Sequence, residues 1–166
     1  LASVLIGSRG PARTVSMLDS SPLRSLLRRE LDLDRVAVHI ASGRLHALAI
    51  NATSYTTGHA VTFFQGASTI QPWQRIRRRG ERAIINVDHL LASSAIPFIF
   101  PAARVGDDFY ADGSVRQIAP LSPALHLSAR RMLVIAVGQF VGQQPAPRQA
   151  NKPAHYPSFA QVAGHA

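Results

Sequence analysis

The sequence has no cysteine, which excludes a disulfide scaffold, thiolate nucleophiles and cysteine-based zinc sites, and fits a reducing compartment. It is also poor in acidic residues. Nine Asp and Glu stand against 18 Lys and Arg, giving a net charge of +9, and every cation except Lys152 is arginine. No run approaches the roughly 18 consecutive apolar residues that a spanning helix needs. The opening residues LASVLIGSRGPAR lack the basic segment that precedes the apolar core of a signal peptide, and read as a cut point. These absences point to a cytoplasmic protein or one held peripherally on a membrane. No cofactor or metal is expected: Asp32 and Asp34 read as helix caps, because two carboxylates without further ligands make a poor ion site. His46 and His59 have no partner at metal-ligand spacing and read as structural.

At 166 residues, 46% hydrophobic and 16% charged, the chain is long enough for one domain with a sizeable core. Ser21 before Pro22 reads as a helix start, with Leu23, Leu26, Leu27 and Leu31 on one face and Arg24, Arg28 and Arg29 on the other. A second helix is expected from Asp34 to a C-cap at Gly43. The apolar runs 45–53 and 61–64 predict two neighbouring strands joined by a polar, glycine-containing turn. Residues 66–81 read as an irregular polar loop. A helix is expected within 84–95, stopped by Pro97, then a hairpin of Arg104-Val105 against Phe109-Tyr110, with Asp107 and Asp108 as turn carboxylates. Residues 121–127 predict a further helix, and 132–137 a β-rich apolar run buried in a sheet. Alternating strands and helices indicate α/β layering. Residues 139–157 are expected to be a linker and 158–166 the start of a helix.

The chemistry concentrates in 109–138, FYADGSVRQIAPLSPALHLSARRMLVIAVG. Asp112-Gly113-Ser114 ends a short aromatic strand; Asp-Gly is a common turn pair, but a carboxylate at a strand end is also a candidate general base. Upstream stands Ala92–Ala102, ASSAIPFIFPA, whose apolar Pro97-Phe98-Ile99-Phe100-Pro101 is unlike an ordinary surface loop.

Together these two blocks resemble the bacterial patatin-like phospholipases. That family has an Ala-Ser-Ser-Ala-Ile-Pro helix end, an FP loop and an Asp-Gly-Gly motif; the matching residues here are Ala92–Pro97, Phe100-Pro101 and Asp112-Gly113. Met17–Leu27 (MLDSSPLRSLL) and Ala47–Phe64 look like the family too, so the resemblance spans about 15–138. It implies a partial three-layer α/β/α domain with a mixed, mostly parallel sheet, and a lipid acyl hydrolase with a Ser-Asp dyad in which Asp112 is the base, supported by Gly113 and Ser114. Pro97, Phe98, Phe100 and Tyr110 become acyl-pocket candidates. The partner implied is a lipid or acyl-ester substrate. Ser114 replaces the motif's last glycine, and Ile118 stands where the family often has asparagine.

The family's nucleophilic serine sits in a G-x-S-x-G elbow, and its oxyanion hole in an earlier glycine-rich loop. Neither pattern occurs in these residues; Gly7-Ser8-Arg9-Gly10 and Gly66-Ala67-Ser68 have the wrong spacing. The chain therefore reads as the downstream part of a hydrolase, the serine lying outside it. The alternative is a non-catalytic module that binds a membrane or protein partner on the same scaffold. The cluster Arg75, Arg77, Arg78, Arg79 and Arg82 beside Trp73 reads either as a solvated loop or as a contact for an anionic membrane. No nucleic-acid motif accompanies it.

Overall fold

The computed structural model describes residues 16–116 and 121–135. The readings made above on 1–13, Ile118, 139–157 and 158–166 fall outside these residues. Two compact units divide the chain at Met132, and every element named below lies in the first.

Helix α1 (Ser21–Glu30) half-buries Leu23 and Leu27 and leaves Arg28 and Arg29 exposed. Its start differs from the sequence reading: Ser21 is not the cap but the first helical residue. Asp19 accepts from both the Ser21 N–H (3.0 Å) and the Ser21 hydroxyl (2.8 Å), and these bonds hold its carboxyl below the usual range. Helix α2 (Asp34–Ala41) ends as expected at Gly43, whose φ of +71° is the left-handed turn that glycine adopts without a steric cost.

Strands β1 (Ala47–Ser54) and β2 (Ala60–Gly66) form an antiparallel hairpin, in register from Ala47 opposite Gly66 to Thr53 opposite Ala60. The segment 66–81 is not the irregular loop expected from its composition. It contains strand β3 (Trp73–Arg75) and leads into β4 (Arg78–Arg82), which pairs parallel to β2. Strands β5 (Ala103–Val105) and β6 (Asp108–Asp112) close the sheet in the order β3-β4-β2-β1-β6-β5. The α/β class and the mixed sheet stand, but among the described residues the parallel majority does not: of their pairings β2–β4 alone is parallel, and the other four are antiparallel. Short connections explain β1–β2, β3–β4 and β5–β6, since a turn of a few residues can join only antiparallel neighbours.

Asp108 is likewise a strand residue and not a turn carboxylate. It accepts from the Ser54 hydroxyl (2.7 Å), the Thr56 hydroxyl (2.6 Å) and the Phe109 N–H (2.7 Å). Burial pushes its carboxyl up, but these bonds and the Arg79 charge outweigh it and hold it below the usual range.

Successive side chains of β2 point to opposite faces, and each face meets its own helix. On one, Phe63 packs edge-on against Tyr110 and against His89 of helix α3 (Val87–Ser93), within a core of Ala52, Val61, Ile85 and Ala92. On the other, Phe64 stacks on Trp73, and Trp73 stacks on His126 of helix α4 (Leu121–His126). Residues 132–135, expected to begin a buried strand, have no regular secondary structure and are exposed, Leu133 and Ile135 at 87%. No helix among the described residues is long and apolar enough to cross a membrane.

Helix α3 starts with a reciprocal cap. The Asn86 side chain accepts from the Asp88 and His89 N–H groups, and His89 Nδ1 accepts from the Asn86 N–H at 3.2 Å. Burial holds the His89 imidazole below its ordinary pKa. The unfolded chain therefore takes up a proton more readily, so this histidine's contribution to stability is present above about pH 6.5 and is lost as the pH falls below it. His89→Gln keeps an acceptor at the same capping position and cannot titrate. Melting curves between pH 7 and pH 5 should show the native chain losing stability toward acid. The variant, lower at neutral pH by about 1 kcal/mol for the lost ring contact, should show a flatter slope; an unchanged slope would exclude His89 as the source.

Candidate active site

Asp112 is the last residue of β6 and is fixed by bonds from three directions. Its N–H donates to the Ala95 carbonyl at 2.9 Å. Its carbonyl accepts from the Thr53 hydroxyl at 3.0 Å. Its carboxylate Oδ1 accepts from the Ser114 N–H at 2.8 Å, which turns the chain into the short 3-10 helix Gly113–Val115. Oδ2 makes no hydrogen bond among the described residues, and Asp112 is only half-buried.

The contact with Ala95 joins the two blocks that stood out in the sequence. Ala92 and Ala95 are buried, at 0% and 3% exposure, and their single methyl groups let β6 come close enough for its terminal N–H to reach the backbone just past α3. Helix α3 stops at Ser93, before Pro97, with the Ser94 hydroxyl donating back to the Leu90 carbonyl at 3.0 Å.

Gly113 serves a different purpose from that suggested by the sequence. A Cβ there would lie 2.6 Å from the Asn51 carbonyl oxygen and 2.9 Å from its carbon, so the missing side chain admits the backbone of β1 and not a ligand. Asn51 is itself held by the Thr62 hydroxyl, which donates to its Oδ1 at 2.6 Å. Ser114 adopts helical backbone and is exposed, so it fits the place of the motif's last glycine without strain.

The four apolar candidates occupy separate environments. Tyr110 is buried at 3% exposure against Phe63, in the core beneath β6. Burial, with the Asp108 and Glu81 charges, holds its phenol above the ordinary range. Phe100 is half-buried and lines a cavity of about 80 Å³ with Leu23, Leu91, Ser94 and Pro101. Pro97 is half-buried, while Phe98 is 83% exposed with a φ of +67°, a left-handed conformation that costs a non-glycine residue roughly 1 kcal/mol or more. The loop is strapped in this shape by Met17 and Leu18, whose N–H groups donate to the Phe98 and Ile99 carbonyls at 2.9 and 2.8 Å. Sequence reasoning missed Thr53, Asn51 and the Ala95 carbonyl, and no side-chain pattern signals a backbone acceptor. Among the described residues, no group of three or more His, Asp and Glu could hold a metal ion.

The family model for patatin-like phospholipase matches residues 3–125. Neither the curated proteins nor the solved structures contain a match. The chain belongs to the patatin-like phospholipase family, whose chemistry is the hydrolysis of lipid acyl groups.

Because the Asn51 backbone leaves no space at residue 113, Gly113→Ala should destabilise the protein by about 1–3 kcal/mol, the usual cost of forced overpacking. Urea unfolding followed by circular dichroism measures this. An unchanged midpoint would show that β1 and the Asp112 turn separate freely.

Proposed function

We propose that the chain supplies the base of a serine-dependent lipid acyl hydrolase of the phospholipase A type, with Asp112 as proton acceptor and the nucleophilic serine provided by residues outside this sequence. The observation that carries the reading is the pinned strand end. The Asp112 N–H donates to the Ala95 carbonyl and its own carbonyl accepts from the Thr53 hydroxyl, which fixes its position, while Oδ2 has no hydrogen-bond partner among the described residues.

A serine hydroxyl ionises far above neutral pH, so it attacks an ester carbonyl only when a base about 2.6–3.2 Å away takes its proton as the bond forms. A carboxylate carried on a fixed backbone, with one oxygen bonded to the Ser114 N–H, meets that geometric demand without a histidine. The tetrahedral oxyanion then requires backbone N–H donors, which in this reading lie with the serine; collapse expels the alcohol, and water releases the fatty acid from the acyl-serine. Pro97, Phe98 and Phe100, presented by the strapped loop after α3, form the wall that meets the acyl chain. Tyr110 acts from beneath, as the core support of β6.

Three samples assayed with a p-nitrophenyl ester test the proposal: this chain, this chain joined to the residues encoded upstream of Leu1, and the joined protein carrying Asp112→Asn. The substitution keeps size and shape while removing the proton acceptor. The chain alone should show no enzymatic turnover, since nucleophile, base and oxyanion donors act as a unit, and Asp112→Asn should lower the joined protein's rate by about 10²–10⁴-fold. Turnover by the chain alone would place a nucleophile within it, with Ser114 the first to examine; full activity in Asp112→Asn would remove Asp112 from the mechanism.

A further inference from the structure

The arginine cluster is a hairpin, and its members have separate duties. Arg82 is used internally: its guanidinium donates to the carbonyls of Gly66, Ala67 and Ile70 and lies 5.2 Å over the Phe64 ring. Arg79 faces Glu81, with Nε 2.7 Å from the carboxylate but without hydrogen-bond alignment. Arg75, Arg77 and Arg78 remain at the tip. Among the described residues, none of the three has a carboxylate within salt-bridge distance.

The tip joins charge to an apolar point. Arg75 pairs with Arg78, so a turn of Ile76 and Arg77 connects β3 to β4, and Ile76 is 92% exposed at its apex. Like charges directly opposite across two strands are destabilising, and Arg77 adds a left-handed φ of +57°. The Arg77 carbonyl accepts from the Ala60 N–H at 3.0 Å, which ties the tip to the start of β2. Beside it lies an open cavity of about 240 Å³ lined by Thr57, Gly58, His59, Arg77 and Arg116. This is a cationic concavity of a size to take a phosphate group.

We propose that the β3–β4 hairpin docks the protein on an anionic phospholipid surface, with Ile76 entering the interface, Arg75 and Arg78 set among the headgroups, and Arg77 with Arg116 and His59 receiving a lipid phosphate. An apolar tip collared by cations matches both layers of such a surface. Arginines also blunt sheet edges against aggregation, but that duty does not call for an isoleucine at the apex. A nucleic acid is the poorer match because Trp73, the aromatic residue of the hairpin, is already stacked on both Phe64 and His126. The inference deepens the hydrolase reading by naming the surface on which substrate is met. Vesicle binding needs no turnover, so it can fail or succeed independently of the role of Asp112.

Co-sedimentation of the full chain with equimolar phosphatidylcholine–phosphatidylglycerol vesicles, and with phosphatidylcholine alone, is the test. Native protein should bind the anionic vesicles, release with added salt, and ignore the neutral ones. Arg77→Ala with Arg78→Ala should weaken binding about 25-fold, roughly five-fold per arginine, and Ile76→Asp should also weaken it. Arg28→Ala with Arg35→Ala removes equal charge from α1 and α2 and should leave binding within about two-fold; melting temperatures confirm that each variant folds. Absence of binding to anionic vesicles, equal binding to neutral ones, equal damage from the remote pair, native binding by Ile76→Asp, or tighter binding to single-stranded DNA than to vesicles would each overturn the proposal.

Discussion

The hydrogen bond from the Asp112 N–H to the Ala95 carbonyl is the constraint on which the candidate site depends. As an energy it is ordinary, worth about 0.5–1.5 kcal/mol net. Its importance is positional, because it fastens the end of an outer hairpin strand to the backbone just past α3, two residues before the strapped Pro97–Phe100 loop. It is the hydrogen bond that ties the backbone of Asp112 directly to the segment carrying that loop.

Other features follow from keeping that bond short. Alanines at 92 and 95 bring helix and strand together, and glycine at 113 lets the turn lie against the Asn51 backbone. Thr53 and Thr62 bond to Asp112 and Asn51, so that β1 supports the turn from both sides. Asp108 at the other end of β6, gripped by Ser54 and Thr56, prevents the strand from sliding along β1. The carboxylate is thus held at the end of a strand paired to β1 over Tyr110–Asp112, and what remains mobile in it is chiefly its own side chain.

The elements legible in the sequence were those whose side chains carry the pattern. Leu23 and Leu27 against Arg28 and Arg29 marked α1, Gly106-Asp107 marked the hairpin turn, and the Ala-Ser-Ser-Ala-Ile-Pro and Asp-Gly blocks marked the family and Asp112. The β3–β4 hairpin was illegible because its strands carry Gln and Arg where apolar alternation is sought. Gly80, a strand breaker by composition, is there because the Trp73 indole occupies the space of its side chain, 2.3 Å from an added Cβ. Strand direction was misjudged because an apolar run shows that a strand is buried and not which way its neighbour points. The roles of Gly113 and Asp108 were missed for a related reason: both are set by partners some 50 to 60 residues away along the chain.

Hydrogen exchange of the Asp112 amide in the full chain tests most directly whether this carboxylate is preorganised. The account predicts protection comparable with that of the β2 amides paired to β1, because the donor is held against a buried carbonyl. Exchange as fast as at the exposed Asp107 turn would mean that the strand end is loose and that the geometry assigned to the base does not persist in solution.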